Sequence, residues 1–244
     1  DYLYSQSEKN NMVTIESGVK HLSQTYLGIA YLDPTNLNTK CSEADVKANR
    51  NNDANHTITG VKTGCMKWYI YKEDNNNYYA ILDHNTTANV AYNSTNDNSV
   101  QKEVATALST DTTGWVSSLQ PRLIKANEVA YIVGANWNSS TATESSWFYL
   151  DSKDNEHASL GQGTSNYAWL FDNLGWNDEY GGCTNYGCNM WDGVDSSAYW
   201  TQTTGSDYLV WYMYRNGFLT YTNADYEYIG VRPVITVSKD RFSN

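Results

Sequence analysis

Asp83-His84, with threonine hydroxyls close behind at Thr86 and Thr87, is where adjacent residue types suggest acid–base chemistry. A carboxylate can orient an imidazole, which can then take a proton from a hydroxyl. No nucleophile elbow or oxyanion glycine pair accompanies it, so the pair reads as a buried turn with a hydrogen-bonded histidine. The four histidines, His21, His56, His84 and His157, stand far apart, and none sits in an HExxH-like helix. Gly161-Gln162-Gly163 lacks the preceding strand, following helix and further glycine of a dinucleotide site. No carboxylate pair stands out for glycoside hydrolysis. Asp172, Asn173, Asp178, Glu179, Asp192 and Asp195 could give a hard cation such as calcium its oxygen ligands. The alternative is a polar loop bonded to its own backbone. The expectation is a protein that is not an enzyme and has no resident metal or cofactor, with calcium the ion it could accommodate.

The stretch from Tyr199 to Val237 is richer. Strand periodicity across residues 209–214 puts Leu209, Trp211 and Met213 on one face and Val210, Tyr212 and Tyr214 on the other. Tyr208 precedes this run, and Arg215-Asn216-Gly217 follows it as a hairpin turn. One face can pack into a core while the other presents phenols. Tyr, Asn, Ser and Gly are also favoured in binding loops, where they give contact area and adaptable hydrogen bonds at low entropic cost. A sheet with tyrosines on its solvated side is the plainer alternative.

The elements that would hold this surface are legible in part. Tyr26 to Leu32 reads as a buried strand or a short helix ended by Asp33-Pro34. Ser42 caps a helix of only two turns. Residues 65–71 and 78–82 form a hairpin across Glu73 to Asn77. Asp97 or Ser99 caps a helix reaching about Leu108, with Val100, Val104, Ala107 and Leu108 on one face. A second such helix starts near Ala126 and carries Val129, Ala130, Ile132 and Val133. Trp137 to Tyr199 has little periodicity and many Gly, Asn, Asp, Ser and Trp, the mark of an organised loop. A strand from Val231 to Val237 closes the chain, its Pro233 indicating an edge or a bulge. The fold class is α+β.

With 244 residues and only three Pro, the chain favours a single unit: an N-terminal segment, 1–60, packed on a domain spanning 61–244. Nine Trp and 21 Tyr against four Phe exclude disorder and show a preference for amphipathic rings. A net charge of -11 argues against nucleic acid or an anionic membrane as partner, and no apolar stretch approaches spanning length. Beginning at Asp1, the chain reads as a mature or excised segment whose targeting sequence lies outside it. Cys41 with Cys65 and Cys183 with Cys188 are the pairings sequence proximity favours among three, against unpaired thiols or a zinc site. Such a disulfide framework implies an oxidising compartment.

Two stretches carry a resemblance. Arg122-Leu123-Ile124-Lys125-Ala126-Asn127-Glu128-Val129-Ala130 resembles the R-L-P-T-x-x-E-W-x-x-A helix start of the C-type lectin-like fold in formylglycine-generating-enzyme-like domains. Ile124 replaces the usual Pro, and Val129 the usual Trp. Gly230-Val231-Arg232-Pro233-Val234 resembles the ending of that superfamily, with Tyr199-Trp200-Thr201 placed like its upstream Y-W-[ST]-S run. The likeness covers roughly residues 60–240 and implies two or more helices, short antiparallel sheets and much organised loop. Cys183 and Cys188 lie before Trp200, as a structural bridge rather than that enzyme's reactive pair. Trp176-Asn177-Asp178 matches the W-N-D that supplies calcium ligands in animal-type lectins, without the usual E-P-N or Q-P-D partner.

Cys65–Tyr69 (CMKWY), Ile81–Thr87 (ILDHNTT) and Gly230–Ile235 (GVRPVI) further resemble exported proteins of gut bacteria and their phages. Among such lectin-like proteins are the variable proteins of diversity-generating retroelements, which diversify ligand-facing positions by mutating adenines in Asn codons. The resemblance implies Asp207, Tyr208, Tyr212, Tyr214, Asn216, Phe218, Tyr221, Asn223, Asp225, Tyr226 and Tyr228 as variable, ligand-binding positions, over a scaffold of Trp211, Met213, Leu219 and Val231. Arg215 would pair with an acidic group on the ligand. The expected function is binding, without turnover, of a cell-surface protein or glycan by a secreted, surface-displayed or phage-borne domain. A calcium-assisted glycan lectin and a pilus or fibre subunit are the alternatives.

Overall fold

Alternation of large and polar side chains from Met66 to Glu73 builds the strand on which the first half of the molecule is assembled. The structure, a computed structural model, describes residues 26–51, 61–133, 148–149, 168–170, 176–177, 182–183, 198–214 and 218–242. The architecture is α+β, with two four-stranded antiparallel sheets and a small two-stranded ribbon.

The first sheet has the order β1-β2-β3-β10, from Gly28–Leu32, Met66–Glu73, Asn77–Leu82 and Val234–Ser238. Every residue of β1 is buried, because both its faces are covered. Ala30 and Leu32 enter the main core, while Ile29 and Tyr31 pack with Cys41 and Val46. Val46 belongs to helix α1, Glu43–Asn51, which starts at a capping box. The Ser42 amide and hydroxyl both donate to the Asp45 carboxylate, and the Asp45 amide donates back to Ser42 Oγ. A Cys41–Cys65 disulfide clamps this helix start to the beginning of β2, across 24 residues.

The β2–β3 hairpin is organised by one carboxylate. Asp74 Oδ1 accepts from the amides of Asn76 and Asn77, and Oδ2 accepts from the Tyr79 hydroxyl. The phenol bond, then the two amides, hold the Asp74 carboxyl down at about 2. At the far side, β10 is the last strand of the sheet, and Arg122 bridges Val234 at its start. Val231 bridges Thr87 alone, Pro233 interrupts, and the paired strand begins at Val234.

The two central helices differ from expectation in one respect. Helix α3, Ala126–Val133, runs where the apolar period places it, with Ala126, Val129 and Ile132 fully buried. Helix α2, Glu103–Asp111, starts several residues later than expected. Asp97 Oδ1 takes both the amide and the hydroxyl of Ser99, a local turn that competes with helix formation. Val104 is therefore buried while Val100 is left on the surface.

The second sheet has the order β4-β9-β8-β7, from Phe148–Tyr149, Phe218–Asn223, Leu209–Tyr214 and Tyr199–Thr204. A register shift between Trp200 and Thr204 bends β7. Within the bend Thr201 Oγ1 donates to Trp211 O, and Thr203 Oγ1 accepts from the Ala126 amide at the start of α3. The bulge thus fixes a helix end to the sheet. Tyr199 and Met213 join the main core. Trp200 and Val210 face a second cluster with Tyr92, Val104 and Ile229. Asn85 and Asn93, each within an Asn-x-Ser/Thr triplet, are both buried, Asn85 completely.

Candidate functional site

Three loops meet at one end of the second sheet. The β7–β8 turn closes through Gly205 N to Leu209 O at 2.8 Å and Leu209 N to Ser206 O at 3.0 Å. At its apex Asp207 has φ 52°, a left-handed conformation Asp tolerates better than most residues. Tyr208 then points away from the body, 45% exposed.

The loop after β9 lies beside this turn. The Ala224 amide donates to Tyr208 O at 2.9 Å, and the Tyr226 amide donates to Asn223 O at 3.1 Å. Ala224 is fully buried and pins the loop, while Asn223 and residues 225–228 are exposed. The Tyr226 and Tyr228 rings meet edge to face, centroids 5.4 Å apart.

The third loop precedes α2. The Asn93 amide donates to Ala224 O, Asn93 Nδ2 to Val100 O, and Asn98 Nδ2 to both Gly205 O and Leu209 O. Two asparagines therefore stitch residues 93–100 to the other two loops. Val100, Tyr208, Tyr226 and Tyr228 are the exposed large hydrophobics among the described residues, and all four lie on these three segments. The Val100 loop was missed by sequence reasoning because helical spacing assigned that valine to a buried face. The Asp97-x-Ser99 pattern, a turn former, was the signal against it.

Beneath the loops the frame is closely held. Arg232 is fully buried; it donates to Leu82 O, Leu170 O and Trp169 O, and its guanidinium carbon lies 5.2 Å from the Tyr199 ring centroid. The Tyr199 hydroxyl donates to Leu170 O, and burial, partly offset by the Arg232 charge, pushes this phenol up to about 12. A Cβ on Gly230 would lie 2.5 Å from Asn85 Nδ2 and 2.6 Å from Thr87 O, so no side chain fits there. The Arg122-to-Glu128 motif closes a second buried group. Arg122 Nη2 meets Glu128 Oε1 at 2.7 Å and the Tyr71 hydroxyl donates to Oε2 at 2.6 Å. Burial first, then the Glu128 charge, drives the Tyr71 phenol well above its ordinary value.

The expected binding residues divide. Asp207, Tyr208, Asn223, Asp225, Tyr226 and Tyr228 are brought together and exposed. Tyr212 is not part of that surface: it is half-buried, packed edge to face on Trp200 at 6.1 Å, on a sheet face that α2 and the loop around Tyr92 cover. Val210, expected on the same outward face, is fully buried. Tyr221 is half-buried against Trp211 at 5.1 Å. Tyr214 and Phe218 pair with each other in the β8–β9 ladder; their side chains lie outside the description. Arg215 and Asn216 lie outside the described residues.

Asp83 and His84 are both buried. His84 Nδ1 faces Asp83 Oδ1 at 2.7 Å and Nε2 faces Val61 O at 2.6 Å, so both ring nitrogens are already engaged with acceptors. Among the described residues no three His, Cys, Asp or Glu side chains are grouped to hold a metal ion. The calcium candidates Asp172, Asn173, Asp178, Glu179, Asp192 and Asp195, and the bridge to Cys188, lie outside the described residues. No helix among the described residues is long and apolar enough to cross a membrane. No family model, curated protein or solved structure matches this chain.

Proposed function

We propose that this is a non-enzymatic ligand-binding domain of the C-type lectin-like type, exported and displayed on a bacterial surface or phage particle. It serves there as an adhesin or receptor-binding module, and its exposed C-terminal positions are those a diversity-generating retroelement would vary. The observation that carries this reading is the gathering of exposed tyrosines on a few short loops. Tyr208, Tyr226 and Tyr228 stand out of a chain whose described core seals Trp68, Trp200 and Trp211 completely. Exposed apolar groups collected in one place mark interaction surfaces, whereas scattered ones do not. Phenol rings supply buried area on binding, and flanking Asn223, Asp207 and Asp225 fix orientation. The Cys41–Cys65 disulfide supports an oxidising, exported setting.

Two experiments test the proposal. Sequencing the surrounding DNA is expected to find a reverse transcriptase gene and an adenine-rich near-copy of the codons for residues 197–237; their absence removes the retroelement role. Binding of the purified protein to host cells is expected to fall at least tenfold in a Tyr208→Ala/Tyr226→Ala/Tyr228→Ala variant with an unchanged melting curve. Undiminished binding by that folded variant sinks the surface as the binding site.

A further inference from the structure

We infer that the three-loop surface takes a cationic protein segment, whose Lys or Arg side chains lie over the tyrosine rings and between the carboxylates. This rests on the binding reading above and goes beyond it by fixing the chemistry of the partner and adding the Val100 loop to the site. Segments 93–101, 205–209 and 223–230 contain Asp97, Asp207, Asp225 and Glu227 and no Lys, Arg or His. All four carboxylates are exposed, and among the described residues no cation pairs with them. The nearest basic residue in sequence, Lys102, is already engaged with Glu103 at 3.3 Å.

Elsewhere several such groups do meet a cation, although Asp33, Asp45, Asp74 and Asp240 have none among the described residues. Glu43, Glu73, Glu103, Asp111 and Glu128 each sit against a Lys or Arg. Tyr69, Tyr78, Tyr79 and Tyr199 each carry a cation over the ring, from Lys67, Lys239, Lys72 and Arg232. Tyr208, Tyr226 and Tyr228 receive no such cover from the described residues. The surface thus presents exposed rings beside carboxylates that no cation meets among the described residues, and an incoming Lys or Arg can engage both at once. A second copy of the same surface would meet its own four negative charges, and an anionic ligand would be repelled.

The test is panning of a random twelve-residue peptide library, displayed on phage, against the folded protein, followed by titration of the leading synthetic peptide. Enriched peptides are expected to be rich in Lys or Arg. Their affinity should weaken at least tenfold in D207N/D225N/E227Q and in Tyr226→Ala/Tyr228→Ala, fall as salt rises, and stay unchanged in Asp240→Asn, on the surface elsewhere. Circular dichroism melts establish that each variant is folded. Peptides that depend on the tyrosines but show no basic excess, and bind the charge-neutralised triple variant as well, overturn the cationic partner and leave the binding surface standing. The cationic partner is likewise overturned, and the surface kept, if no peptide is enriched while glycan-array binding is lost in Tyr226→Ala/Tyr228→Ala. Enriched peptides indifferent to both variants overturn the inference and the binding surface together.

Discussion

Residues 225–228 and 229–235 are neighbours in sequence and opposites in environment: every residue of the first group is exposed, and every residue of the second is buried. Tyr226 and Tyr228 touch each other and the solvent, whereas Arg232 spends its donors on three carbonyls. The contrast teaches that the molecule's firmest part abuts its most open part, with Ile229 as the step between them. Side chains on the open loop are free to change with little effect on folding, because their anchors are backbone hydrogen bonds and the buried Ala224.

Substitutions on the two sides of that step should diverge most. Arg232→Ala is expected to cost roughly 3–5 kcal/mol, since it empties a filled site and strands three carbonyls. Tyr226→Ala and Tyr228→Ala should each stay within about 0.5 kcal/mol of the parent protein. Urea unfolding measures all three, and tyrosine variants as costly as Arg232→Ala would erase the contrast. Gly230→Ala is expected to cost roughly 1–3 kcal/mol in the same assay, because the new methyl group meets backbone that cannot withdraw.

A subtler effect concerns pH. The Tyr199 phenol is raised to about 12 in the fold, first by burial, against about 10 in an unfolded chain. A raised value means the folded state holds its proton more tightly. The associated stability is therefore complete below about pH 10 and is lost as pH climbs through about 12. Melts between pH 9 and 12 should show a steeper loss for the parent protein than for Tyr199→Phe. Equal slopes would place that ring in contact with water, against its burial.

What could be seen in the sequence follows from what local patterns report. The β2–β3 hairpin, α3 and the Cys41–Cys65 bridge were all legible, because period, turn chemistry and spacing act over short distances. The reading of Tyr212 as outward failed for a reason alternation cannot address. Periodicity says which residues share a face, and Trp200, Val210 and Tyr212 do share one; it is silent on what covers that face. The start of α2 was misplaced because Asp97 and Ser99 satisfy each other in a turn, so the helix begins only at Glu103. Half of the anticipated binding residues, Asp207, Tyr208, Asn223, Asp225, Tyr226 and Tyr228, do meet. Their meeting follows from the β8–β9 pairing of Leu209 with Asn223 and the Ala224 amide on Tyr208 O, both local to the hairpin. The Val100 loop is added by Asn93 and Asn98 from more than a hundred residues upstream, a link no local rule reports.

The place of β10 has a consequence for biosynthesis. This strand, Val234–Ser238, completes the first sheet by pairing with β3, Asn77–Leu82, some 150 residues earlier. A pairing so distant forms late, only once the residues through Ser238 have left the ribosome. A premature stop codon anywhere between positions 207 and 228 therefore yields a product with an open sheet edge. Folding itself acts as a proofreader, passing polypeptides that carry β10 whatever residues their open loops hold, and rejecting those that stop before it.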